Sequence, residues 1–144
     1  MRTEMRILAV DYGRRRVGLA VSDELGLAAR GLPTVRAHSR SSAVSSVARV
    51  ASDVGAAALL VGLPLNMDGS RGPMAEAAES FAVALKRTTG LPVRLWDERL
   101  TTVAARRTMR ETGLRDRNKE GTLDRMAAVL LLNNYLQAQD SAEP

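Results

Sequence analysis

The chain has 144 residues, 45% of them hydrophobic, with one His, no Cys and a formal net charge of +5. The lack of Cys excludes disulfides, thiolate metal sites and cysteine nucleophiles, and it fits a reducing compartment. No apolar run approaches membrane-spanning length and the N-terminus has no signal-peptide pattern, so a soluble, cytoplasmic protein without a membrane partner is expected.

Nineteen of the 21 basic residues are Arg, and the pI is about 10.6. Such a charge calls for a polyanion partner, although codon bias toward Arg and Ala gives the same composition. Aromatic residues, at 3%, are too few for a base-stacking platform.

Met5 to Asp11 alternates and reads as a strand. A Gly13-Arg14-Arg15-Arg16 turn and a second strand, Val17 to Val21, complete a hairpin. Leu27 to Val35 is a third, weaker strand, interrupted by Gly31 and Pro33. From Ser41, Val44, Val47, Ala51 and Val54 recur at helical spacing, and Gly55 closes that helix. Ala56 to Leu63 is almost wholly apolar, the pattern of a strand buried on both faces. A loop from Asn66 to Gly72 leads to Pro73, which suits a helix's first turn; that helix ends at Gly90. Leu91 to Glu98 is a fifth strand. A helix from Thr101 or Thr102 to about Thr112, a charged loop from Leu114 to Gly121, and a last helix from Thr122 to about Gln137 follow.

The order βββαβαβαα predicts an α/β fold, a five-stranded mixed sheet with helices on both faces. One domain over residues 1–138 is expected, with a disordered tail over 139–144.

Three acids stand at element ends. Asp11 closes the first strand on the face of Ile7 and Ala9. Glu98 closes the fifth, but Asp97 adjoins it and strand alternation alone does not decide which of the two points with Asp11. Asp124 opens the last helix, where the helix dipole already favours an anion. Ala127, Ala128 and Leu131 share its face, and two small residues there let the helix approach the sheet closely. Each acid has a bland reading: a turn cap for Asp11, a surface pair with Arg99 or Arg94 for Glu98, a dipole partner for Asp124. Together, at ends that a βα sheet brings to one edge, they describe a site for a hard cation such as Mg²⁺ or Mn²⁺. His38 has no ligand spacing around it and reads as a surface residue.

Basic clusters flank these acids in sequence: Arg14, Arg15 and Arg16 after Asp11, Arg106, Arg107 and Arg110 after Glu98, and Lys119 before Asp124. With Arg71 they are the candidate nucleic-acid contacts, holding phosphates rather than reading bases. The loop over 66–72 lacks the Lys and the spacing of a P-loop.

Four blocks in this order resemble the YqgF/RuvX family of RNase H-like proteins: Ile7–Gly13 running into Arg16–Asp23, Val61–Ser70, Asp97–Thr102, and Asp124–Ala128. The resemblance spans almost the whole chain. It implies an RNase H-like fold and a nuclease, either maturing the 5′ end of pre-16S ribosomal RNA or resolving Holliday junctions. It also implies metal-binding, catalytic carboxylates at Asp11, Glu98 and Asp124, which settles the Asp97/Glu98 choice. One departure from the wider superfamily stands out. Where other resolvases carry an acid just after the fourth strand, this chain reads Leu63-Pro64-Leu65-Asn66, so Glu98 must reach in from the fifth.

The expected activity is therefore Mg²⁺- or Mn²⁺-dependent phosphodiester hydrolysis on pre-rRNA, within a ribosomal subunit precursor, or on branched DNA. The protein is expected as a monomer or, for a resolvase, a homodimer. A nucleic-acid or ribosome binding module with little turnover is the alternative from another class. Asp11-x-Gly13 also resembles the phosphate loop of actin-like ATPases and sugar kinases, but those folds need two such domains and this length supplies one.

Overall fold

The computed structural model describes residues 6–99 and 122–142. Strands β1 (Ile7–Tyr12), β2 (Arg16–Ser22) and β3 (Ala29–Arg36) form an antiparallel meander. Helix α1 (Arg40–Val54), strand β4 (Ala58–Leu63), helix α2 (Pro73–Thr89), strand β5 (Val93–Asp97) and helix α3 (Thr122–Ala142) follow. The sheet order is β3-β2-β1-β4-β5, with β4 parallel to both β1 and β5. The mixed five-stranded sheet is as expected. The helix expected from Thr101 or Thr102 lies outside the described residues.

Alternation along the central strands sorts the core into two layers. Leu8, Val10, Val17, Leu19, Leu59 and Val61 pack under α1 and α2 through Val44, Val47, Phe81 and Leu85. Ile7, Ala9, Ala20 and Leu60 face the other way and pack under α3 through Ala127, Ala128, Leu131 and Leu132. Strand β4 carries members of both layers, which is why its sequence is one continuous apolar run.

Local chemistry sets the helix ends. Ser39 and Ser42 form a capping box at the start of α1, and Gly55 ends it at φ 68°. Pro73 occupies the first turn of α2, where its missing N–H goes unneeded.

Two details differ from the sequence reading. Pro33 does not interrupt β3; the strand lies at the sheet edge and takes up a register shift opposite Val17 and Leu19. Helix α3 continues past Gln137 to Ala142, into the stretch expected as tail.

Candidate active site

Strands β1, β4 and β5 are parallel, so their C-terminal ends share one edge of the sheet. Asp11 sits there on β1, on the α3 side, continuing the row of Ile7 and Ala9. Its antiparallel partner on β2 is Gly18. On the other flank Val10 pairs with Val61, and carrying that register one residue on sets Asp11 level with Gly62 of β4. Asp11 is therefore a side chain standing between two glycines.

The glycines explain what gathers around it. A Cβ on Gly18 would lie 2.0 Å from the backbone carbonyl oxygen of Asp124. The first turn of α3 thus rests on Gly18 itself, a close approach that only glycine permits. The buried Ala127 and Ala128 on the same side of α3 let the helix come that near. A Cβ on Gly62 would lie 2.4 Å from Oε2 of Glu98. The carboxylate of Glu98 therefore occupies the space that a side chain on β4 would take.

Asp124 and Glu98 thus approach Asp11 from opposite flanks, and all three are buried, with exposures of 0% for Asp11, 1% for Glu98 and 2% for Asp124. Each makes other contacts within the chain. Even so, Oδ2 of Asp11 and Oε2 of Glu98 lie buried and accept no hydrogen bond from the described residues. As placed, no three acidic or histidine side chains among the described residues are arranged to hold one ion. The Glu98 carboxylate lies over Gly62 on one flank of Asp11, and the backbone of Asp124 lies over Gly18 on the other.

Contacts with α3 settle which of the paired acids turns inward. On β5, Arg94 donates to the Tyr135 hydroxyl at 2.8 Å, and Trp96 Nε1 donates to Asn134 Oδ1 at 2.7 Å. The rings of Trp96 and Tyr135 meet edge to face at 5.0 Å. These contacts commit the even-numbered side of β5 to the α3 face, and Glu98 follows it by alternation. Its N–H reaches the carbonyl of Leu63 at 3.4 Å, keeping it beside the end of β4. Asp97 points away, is exposed, and accepts from the Arg99 backbone N–H at 2.9 Å and from Arg99 Nε at 3.1 Å. The surface pair with Arg99 thus falls to Asp97, not Glu98.

The loop after β4 is held in shape nearby. Asp68 accepts from the Ser70 N–H at 2.8 Å and from its hydroxyl at 2.6 Å, and these bonds hold its carboxyl below the usual carboxylate range. Asp68 is exposed and shapes the loop. The end of the Arg99 side chain lies against Gly69.

Of the basic candidates, Arg14 and Arg15 are exposed on the hairpin that follows Asp11, and Arg16, half-buried, begins β2. Arg71 is bonded to Glu79 of α2. Arg106, Arg107, Arg110 and Lys119 lie outside the described residues. His38 is exposed, just ahead of α1. Sequence reasoning did not single out Gly18, Gly62, Trp96 or Asn134. A glycine inside each of two strands was the available signal for the first pair.

The donor chemistry fits a divalent cation. Buried carboxylates at one sheet edge are hard oxygen ligands of the kind such an ion takes.

A family model described as "RuvX: Holliday junction resolvase" matches residues 5–138. A relative from Myxococcus xanthus, named "Putative pre-16S rRNA nuclease", is 45% identical over 93% of this chain and 89% of its own length. One of the same name from Lachnospira eligens is 41% identical over 94% and 99%. Two solved structures share the fold. Thermus thermophilus RuvC in complex with Holliday junction substrate is 16% identical, with TM-score 0.57 over 94% of this chain and 96% of that one. Fowlpox virus resolvase with substrate Holliday junction DNA is 14% identical, with TM-score 0.56 over 94% and 99%. At those identities the two structures establish the architecture, the RNase H-like fold. The match over nearly the whole sequence, with relatives above 40% identity, shows that this chain belongs to the RuvX family.

Proposed function

We propose that this chain is a divalent-metal-dependent nuclease and that its substrate is the 5′ end of pre-16S ribosomal RNA. The observation that carries this reading is Asp11 between Gly18 and Gly62, with Asp124 and Glu98 brought in over those glycines. Gly18 makes room for the α3 backbone that carries Asp124, and Gly62 makes room for the carboxylate of Glu98, an acid buried where a side chain of β4 would otherwise pack.

Asp11, Glu98 and Asp124 are the residues that would hold Mg²⁺ or Mn²⁺. The chemistry a divalent cation supplies in such a site is activation of water and stabilisation of charge at phosphorus and at the leaving oxygen. Asp11 is fixed by its strand between two paired neighbours, so its carboxylate is the rigid reference of the set. Glu98 and Asp124 come from a strand end and a helix start and can adjust around it. Arg14 and Arg15 stand on the hairpin beyond Asp11, where they can bind neighbouring phosphates without reading bases. The names carried by the relatives favour ribosomal RNA, and the description of the family favours branched DNA.

A cleavage panel decides between them: pre-16S-like RNA, single-stranded DNA and a four-way junction, each with Mg²⁺, with Mn²⁺ and with chelator. The expected result is metal-dependent cutting of the RNA, falling at least about a hundredfold in Asp11→Asn. Undiminished cutting by that variant removes Asp11 from the chemistry. Symmetric cutting of the junction by a dimer would move the assignment to resolvase. Salt-sensitive binding with no cutting in any arm would leave a binding module.

A further inference from the structure

The face that carries the carboxylates also carries a second charged feature, at the hairpin end of the sheet. Arg16 of β2 is the cross-strand partner of Arg36 of β3. Val17 and Val35, the next pair along the ladder, turn toward α1 and α2, as does Ala37. Both arginines therefore emerge on the α3 side, the side of Asp11. The pair lies two residues along β2 from Gly18, the partner of Asp11. Strand spacing and rise put the Arg36 backbone roughly 12 Å from that of Asp11.

Arg16 is half-buried and has contacts within the chain. Arg36 is exposed, and no ion pair to it occurs among the described residues. Its main chain is anchored, because the next residue, Ala37, donates to the Arg15 carbonyl at 2.8 Å and so ties the end of β3 to the hairpin. A guanidinium is thus held on a fixed strand end, next to a second one, on the face and at the edge where the acids gather.

Taking the chain as a nuclease, we infer that Arg36, beside Arg16, grips a backbone phosphate of the bound strand, away from the bond that is cut. A phosphodiester bound by the Arg36 guanidinium at this fixed strand end sets the register of the strand over the carboxylates. RNA and DNA offer the same phosphodiester, so the contact itself gives affinity without sequence preference.

The test uses the full chain in chelator and measures affinity for a short single-stranded RNA and for the matching DNA across a salt series. Arg36→Gln should lower RNA affinity about fivefold to tenfold at low salt and flatten the plot of log affinity against log salt by about 0.7. Arg36→Lys, which keeps the charge, should recover most of that slope. Lys86→Gln, on the exposed last turn of α2, should match the parent. In cleavage assays Arg36→Gln should raise KM and leave kcat close to the parent value. Without nucleic acid it should melt no lower than the parent, since Arg36 contributes nothing to the core. Equal losses with RNA and DNA support the phosphate contact, and a loss with RNA alone overturns it in favour of a contact to the ribose. An unchanged slope in Arg36→Gln, or an equal loss in Lys86→Gln, overturns the assignment. If the parent cuts nothing but Arg36→Gln still weakens binding, the nuclease reading fails and the phosphate contact stands. If the parent cuts RNA and the slope is unchanged, Arg36 alone is wrong.

Discussion

The two faces of the sheet start alike and end differently. Toward α1 and α2 the rows are apolar up to the C-terminal edge. Leu8 and Val10 lead to Tyr12, whose ring stacks on Phe81 with centroids 4.2 Å apart and planes 11° apart. Toward α3 the same strands begin with Ile7, Ala9, Ala20 and Leu60 under Leu131 and Leu132. They then change character at Asp11, Gly18 and Gly62, where a charge and two missing side chains replace packing. One face supplies stability over its whole length. The other gives up its last row, and the acids fill it. Burying carboxylates contributes less to folding than burying apolar side chains, so the site depends on the opposite face to hold the strands in place. Ranked by effect on turnover, four substitutions would break or sharpen this contrast.

The largest effect belongs to Asp11→Asn. Beyond the loss of cutting, it should separate the site's chemistry from its contribution to the fold. Asn keeps the size and shape of Asp11, so in chelator the variant should melt close to the parent temperature. Adding Mn²⁺ should raise the melting temperature of the parent and leave the variant where it was, because only the parent binds the ion. A variant that melts lower and still cuts RNA would make Asp11 a structural residue.

Next comes Gly18→Ala. Its methyl group would meet the backbone carbonyl of Asp124 at 2.0 Å, and backbone cannot swing aside as a side chain can. Helix α3 has to shift, so turnover and melting temperature should fall together. Gly62→Ala makes an instructive pair with it. There the methyl would meet Oε2 of Glu98 at 2.4 Å, the far end of a flexible side chain. Glu98 can rotate away, so turnover should drop about tenfold or more while the melting temperature moves little. If the two variants lose stability equally, Glu98 is not held over Gly62 as a movable ligand. Activity and thermal melts on the same preparations read both quantities.

Much of this was legible from sequence where one periodicity acts alone. The alternation of β1 and the unbroken apolar run of β4 report how many faces each strand buries. Gly55 after α1, and Pro73 and Gly90 at the two ends of α2, report helix ends. The Asp97/Glu98 choice was not legible from the strand pattern. It depends on which side of β5 meets α3, and Arg94 to Tyr135 and Trp96 to Asn134 are contacts between segments far apart in the chain. Gly18 and Gly62 were visible as strand glycines, but what each admits comes from a distant element. Pro33 read as a break because edge position is a property of the assembled sheet. The far end of α3 is polar, and its apolar spacing gives no sign that the helix continues to Ala142.

Leu59→Ala is the reverse case, with the smallest expected effect on turnover. Leu59 is 1% exposed, on the α1/α2 side of β4 and near the start of that strand, whereas Gly62 lies at its far end. Truncation removes three carbons from a packed layer and leaves a cavity there, at a cost of about 2–5 kcal/mol. Below the lowered melting temperature, Asp11, Gly18 and Gly62 keep their register, since β4 still pairs with β1 and β5 on both sides. Turnover per folded molecule should then stay within about twofold of the parent, because the loss falls on the population of folded protein and not on the site. A selective fall in kcat at a temperature where the variant is fully folded would mean that the two faces are mechanically coupled through β4. The apolar layer would then help to set the position of the carboxylates as well as to hold the sheet.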